Sequence, residues 1–107
     1  MASSLGDFER LVLLAVARLS EAYGVSIRLE IEARTGRDVS AGAVYTTLLR
    51  LESQGLVSSE LSAPSQVRGG RRKRVYRLEP AGEKALSSCL EELRRMTQGM
   101  EARFRLV

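Results

Sequence analysis

Six basic side chains fall within ten positions, Arg68, Arg71, Arg72, Lys73, Arg74 and Arg77, with no acid among them. Like charges crowded this closely repel one another unless an anion joins them. A run of phosphates, or the narrow and strongly negative minor groove of a duplex, meets that need. The remaining 11 of the 17 basic residues are outnumbered by 13 acids, so the excess behind the net charge of +4 sits in this one stretch. A local excess points to one polyanion contact, whereas a uniform excess would point to solubility. The bland alternative is a solvated charge run. Tyr76 and Leu78, directly behind the cluster, argue for a segment anchored on a core.

A second constellation lies upstream. Ser40 is a good helix N-cap, and its hydroxyl beside the free amides of a helix start can also hold a phosphate. Beyond it the spacing predicts a helix with two faces. Val44, Leu48 and Leu51 form a core stripe, and Gly42, Tyr45, Thr46, Leu49, Arg50 and Ser53 stand opposite. Gly42 lets a backbone approach closely. Tyr45, Thr46 and Arg50 can reach phosphates or base edges. Each has a plainer reading too: Ser40 as a cap only, Gly42 as a tolerated poor helix former, Tyr45 packed on the core edge, Arg50 as a solvated charge.

Other chemistry is excluded by what the chain lacks. It has no histidine and one cysteine, so neither a zinc site nor a disulfide framework can be built, and no cofactor is expected. No nucleophile–base pair, paired carboxylates or nucleotide-binding glycine loop is recognisable, so an enzyme is not expected. The longest apolar run is Leu11 to Ala17, far short of the roughly 20 residues a membrane span needs. Asp7 and Glu9 precede that run, which argues against a signal peptide. A cytoplasmic protein is expected.

The elements that would position these residues follow from pattern. Gly6 to Ser20 reads as a helix, apolar on nearly all sides through Phe8, Leu11, Leu13, Leu14, Ala15, Val16 and Leu19. Such a helix needs cover on two sides, and a chain of 107 residues has little to wrap it with. A partner copy is therefore expected over Leu11 and Leu14. Val25 to Glu32 alternates apolar and polar residues as a strand does. Ile27 and Ile31 also stand four apart, with Gly36 placed as a helix-ending glycine, so pattern leaves that segment open. Leu56 to Leu61 and Arg74 to Leu78 read as two strands of a hairpin whose loop carries Pro64, Gly69 and Gly70. Pro80 opens a last helix in which Leu86, Cys89, Leu93, Met96 and Met100 recur at spacings of 3, 4, 3 and 4, with Leu90 and Phe104 widening the seam.

With the open segment taken as a helix, the order helix, helix, helix, hairpin, helix is that of a winged helix-turn-helix. The expected fold is mainly α with a small β-hairpin: a DNA-binding domain over 1–79, with a wing at 56–79, and a C-terminal dimerisation helix over 80–107 packed with the first helix.

Several stretches together carry a family resemblance. They are Leu5-Gly6-Asp7-Phe8-Glu9, Ala22-Tyr23-Gly24, the helix opening from Val39 to Tyr45, the run from Leu48 to Val57, and the wing from Arg68 to Leu78. From about Leu5 to Leu86 the chain resembles the PadR family of bacterial transcriptional regulators. Thr46 stands where many relatives carry proline, and the chain lacks the tryptophan that some relatives stack on flat ligands. The resemblance implies that the alternating stretch is helical, that the first and last helices hold a homodimer, and that the protein represses by binding an operator. The expected function is therefore a sequence-specific regulator on an inverted-repeat site. Its DNA-contacting residues are Ser40, Gly42, Tyr45, Thr46, Arg50, Arg68, Arg71, Arg72, Lys73 and Arg74. Its dimer seam is Leu11, Leu14, Leu86, Cys89, Leu90, Leu93, Met96 and Met100. A small-molecule effector has no signature in the chain. The alternative is a winged-helix module that binds protein, which needs no basic wing.

Overall fold

A computed structural model describes residues 5–63 and 72–105. Three helices come first: α1 (Asp7–Arg18), α2 (Gly24–Thr35) and α3 (Ala41–Ser53). A two-stranded antiparallel hairpin follows, β1 (Val57–Leu61) with β2 (Arg74–Leu78), in the register Val57 to Leu78 and Leu61 to Arg74. Helix α4 (Pro80–Thr97) and a single turn, α5 (Glu101–Phe104), complete the chain. Mainly helical with one hairpin, this is the winged helix-turn-helix that the sequence predicts.

The ambiguous stretch is helical, and its geometry explains the ambiguity. Two residues advance a helix by about 200°, close to the 180° of a strand. Ile27 and Ile31 are buried, while Val25 and Leu29 stand on the solvent side, so two opposite apolar stripes imitate alternation. Gly36 ends α2 at φ +74°, and its N–H donates to the Glu32 carbonyl at 2.9 Å. The 36–40 turn then leads to Ser40, whose Oγ accepts the Ala43 N–H at 3.0 Å. Val39 and Val44, flanking that cap, are both buried, as a hydrophobic staple requires. Ser40→Ala should lower stability by about 1 kcal/mol, a midpoint shift of about 5 °C in a thermal melt followed by circular dichroism. An unchanged midpoint would show that the cap contributes nothing.

The core centres on α1, and here the sequence expectation needs correction. Val12, Leu13, Ala15 and Val16 are all buried within one chain. Helices α2, α3 and α4 and strand β2 each pack against α1, so four elements wrap a helix expected to need a partner. Leu11 and Leu14 are half-buried against that core. Leu86, assigned from sequence to the dimer seam, is 6% exposed and closes the same core from α4.

The last helix is also shorter than expected. Gln98 leaves helical geometry at ψ 129° and Gly99 takes φ +87°, so α4 stops and Met100 caps α5 instead of continuing the seam. Up to Leu86 the helix packs on the domain; beyond Cys89 its apolar residues are exposed. The molecule measures 53 × 31 × 22 Å with a radius of gyration of 15.6 Å. A compact domain of this length would have about 13 Å. The excess matches a helix that projects from the domain.

Ion pairs fasten the frame. Arg37 of the helix-turn-helix turn donates to Asp7 at 2.7 Å and holds its carboxyl below the usual carboxylate range. Glu30 is lowered likewise by hydrogen bonds from Arg34 and Arg18.

Candidate nucleic-acid interface

Helix α3 turns Val44, Thr47, Leu48 and Leu51 inward and leaves Gly42, Tyr45, Thr46, Leu49 and Arg50 outside. Tyr45 is 60% exposed and Leu49 48%. Its first turn is small and open: an added Cβ at Gly42 would meet no atom within 4 Å. The plain reading of Ser40 as a cap holds, and its residue is also exposed.

The wing sits beside this face. A crevice of about 370 Å³ separates the start of α2 from α3 and β2, lined by Tyr23, Val25, Arg28, Tyr45, Lys73 and Arg74. Helix face and wing thus meet across one depression. The wing is rooted by Tyr76, which is buried and donates its N–H to the Ala22 carbonyl at 2.7 Å, joining β2 to the α1–α2 turn. Burial pushes the Tyr76 hydroxyl above the usual tyrosine range.

Several expected DNA-contacting cations have partners inside the chain that sequence reading missed. Arg50 Nη1 lies 3.5 Å from Glu9 Oε2, while the other Glu9 oxygen accepts the Gly6 N–H at 2.7 Å. Lys73 Nζ lies 3.7 Å from Glu21 and 4.3 Å from the Tyr23 ring centroid. Arg74 donates to Ser59 Oγ at 3.0 Å. Arg72 is exposed. Arg68 and Arg71, with Gly69 and Gly70 between them, lie outside the described residues. Separations of 41 and 52 positions leave Arg50–Glu9 and Lys73–Glu21 without a sequence signal; Tyr23 beside the wing could have been suspected from its place in the Ala22-Tyr23-Gly24 stretch.

On α4, Leu90 and Leu93 are about half exposed and Met96 is 74% exposed, whereas Cys89 is half-buried with Arg10 Nη1 at 3.6 Å from its sulfur. Among the described residues no group of His, Cys, Asp and Glu side chains is arranged to hold a metal ion, and no helix is long and apolar enough to cross a membrane.

Residues 13–88 match the family model described as the transcriptional regulator PadR-like family. The chain belongs to the PadR-like family of transcriptional regulators. This PadR-like chain is 43% identical over 93 residues to the transcriptional regulator Rv3488 of Mycobacterium tuberculosis, covering 84% of this chain and 82% of that protein. Among solved structures it is similar to a PadR family transcription regulator from Clostridium difficile, with a TM-score of 0.73 and 25% identity over 92% of this chain and 98% of that one. Bacillus subtilis PadR, solved in complex with operator DNA, shares the fold at a TM-score of 0.66 and 19% identity, over 78% of this chain and 47% of that one. The PadR-like family is one of regulators, not of enzymes.

Proposed function

We propose that this PadR-like regulator binds double-stranded DNA as a homodimer in the cytoplasm and represses transcription by occupying an inverted-repeat operator. The observation that carries this reading is the exposed face of α3 set across one crevice from a basic wing. In that arrangement α3 enters the major groove, with Ser40, Gly42, Tyr45 and Thr46 facing the duplex and Arg50 reaching a phosphate from its tether on Glu9. Arg68, Arg71, Arg72, Lys73 and Arg74 take neighbouring phosphates or the minor groove. The solved operator complex of Bacillus subtilis PadR supports DNA as the partner.

The unit that reads DNA is residues 1–79, and residues 80–107 supply the dimer contact. The exposed apolar side of α4, through Cys89, Leu90, Leu93 and Met96, supports pairing with a second copy. A twofold dimer presents its two α3 helices about 34 Å apart, one turn of duplex, which requires an inverted repeat.

The test is a salt titration of binding to operator and to random duplex. Replacing Arg71, Arg72 and Arg74 with alanine should weaken both alike and flatten the slope of log affinity against log salt by about 0.9 for each phosphate no longer neutralised. A triple variant with the parental slope would show that the wing does not touch phosphate.

A further inference from the structure

We propose that α3 selects its site chiefly by recognising thymine methyl groups, with Leu49 as the principal contact and the Thr46 side chain beside it. This rests on the DNA-binding reading above and names the chemistry by which the helix discriminates.

The starting point is what α3 can offer. Over Ala41–Ser53 its only charged residues are Arg50 and Glu52, and it contains no asparagine, glutamine or lysine. Both charged residues are engaged within the chain: Arg50 with Glu9 at 3.5 Å, and Glu52 accepting from Ser59 Oγ at 2.8 Å. Ser53 Oγ is turned back to the Arg50 carbonyl at 2.8 Å. Thr47 is buried. Arg50, drawn toward Glu9, is given to a phosphate in the reading above, so the outward side chains that meet base edges are Tyr45, Thr46 and Leu49, behind a first turn of alanines and glycine that permits close approach.

That set cannot form the two-pronged hydrogen bonds by which arginine reads guanine or asparagine reads adenine, and it has no free carboxylate for the cytosine amino group. It does match an A·T pair. Thymine presents a methyl group and the O4 acceptor in the major groove, and adenine presents the N7 acceptor. Leu49 and the Thr46 γ-methyl offer apolar surface, and the Thr46 and Tyr45 hydroxyls can donate to the acceptors. Thr46 and Leu49 stand three apart and Tyr45 and Leu49 four apart, about 5–6 Å between Cβ atoms, so the three form one continuous patch. Leu49 is half exposed on this face and has apolar surface to cover. Water gains nothing from it, whereas a thymine methyl packed against it leaves water together with it. The basic side chains across the crevice, Lys73 and Arg74, match the phosphates that must flank such a contact.

The experiment replaces thymine with deoxyuridine, which pairs identically and lacks only the methyl. Duplexes are first enriched from a random pool by the full-length protein. Each thymine of an enriched site is then replaced in turn, and affinity is measured for the parent, Leu49→Ala and Leu49→Gln. The parent should lose about 4-fold for each recognised methyl, the value of one such group taken out of water. Both variants should bind thymine and deoxyuridine duplexes equally at those positions. The ratio within each protein is its own control, and the glutamine variant retains side-chain length if the alanine variant melts early. A parent indifferent to the methyls overturns the proposal. So does a parent that discriminates when both variants discriminate equally well, since Leu49 is then not the reader. If no duplex is enriched at all, the DNA-binding reading falls and this proposal falls with it.

Discussion

Leu93→Asp should abolish the pairing proposed for α4, leaving a monomer, and lower affinity for the proposed operator about 100-fold or more. Leu93 is 47% exposed on one chain, midway along the apolar side of α4 between Leu90 and Met96. Burying each such side chain against a second copy contributes about 1.5–3 kcal/mol, so a few of them on each protomer hold the pair. An aspartate at the centre would place two carboxylates, related by the twofold axis, in an apolar seam, where Arg94 and Arg95 are already drawn to Glu91, and a poorly paired buried charge is strongly unfavourable. Leu93 is remote from the core residues of the monomer, so the single domain should still fold, with wing and α3 intact. Each half-site must then be bound independently, and the gain from linking two binding events, about 100-fold or more, is lost. Analytical ultracentrifugation reads the first effect and operator titration the second. A parent that is monomeric at micromolar concentration would remove the premise, and a variant that dimerises and binds normally would move the interface off α4.

Gly82→Ala should be strongly destabilising although it adds a single methyl group. Gly82 is buried in the first turn of α4, and a Cβ there would stand 2.1 Å from the Leu56 carbonyl oxygen and 2.9 Å from Leu78 Cδ1. The leucine tip could move, but the carbonyl could not follow easily. Leu56 is held at both ends, its N–H donating to Leu51 and its oxygen accepting the Glu79 N–H, each at 3.0 Å. Alanine ordinarily favours a helix over glycine by up to about 1 kcal/mol, which offsets some of the clash. A net loss of about 3 kcal/mol is expected, at the upper end of overpacking costs, with the melting midpoint lower by about 15 °C. Gly42→Ala provides the contrast: its Cβ meets open space, so its midpoint should hold or rise. Equal melts for the two variants would show that α4 shifts freely on the hairpin.

Where local chemistry decides structure, the residues announced it. Ser40 and the Val39–Val44 staple fixed the start of α3, Gly36 the end of α2, Pro80 the start of α4, and the apolar stripe Val44, Leu48, Leu51 the side of α3 that turns inward. Where distant segments decide it, they were silent. An apolar helix looks the same whether a partner or its own domain surrounds it, so the cover over Val12, Leu13, Ala15 and Val16 could not be told from α1 alone. Heptad spacing carried the α4 seam through Gly99, although a glycine with φ +87° interrupts it. The expected DNA-contacting face of α3 was legible as a set of outward residues, but which of them were free was not, because Glu9 and Glu21 reach Arg50 and Lys73 only in the folded chain.

The hydrogen bond between Tyr76 and Ala22 gives the wing a fixed root and a direction of opening. At the far end, the rung from Ser62 N–H to the Lys73 carbonyl is flanked by exposed residues, and the strands can separate there bond by bond. At the root, separating them would expose the buried Tyr76 ring and Val57 together, at a far larger cost. The described part of the hairpin is therefore anchored at one end: the rungs near Ser62 and Lys73 can open while the base stays held to the α1–α2 turn through Ala22. Local opening and cooperative unfolding are thereby assigned to different ends of the same hairpin.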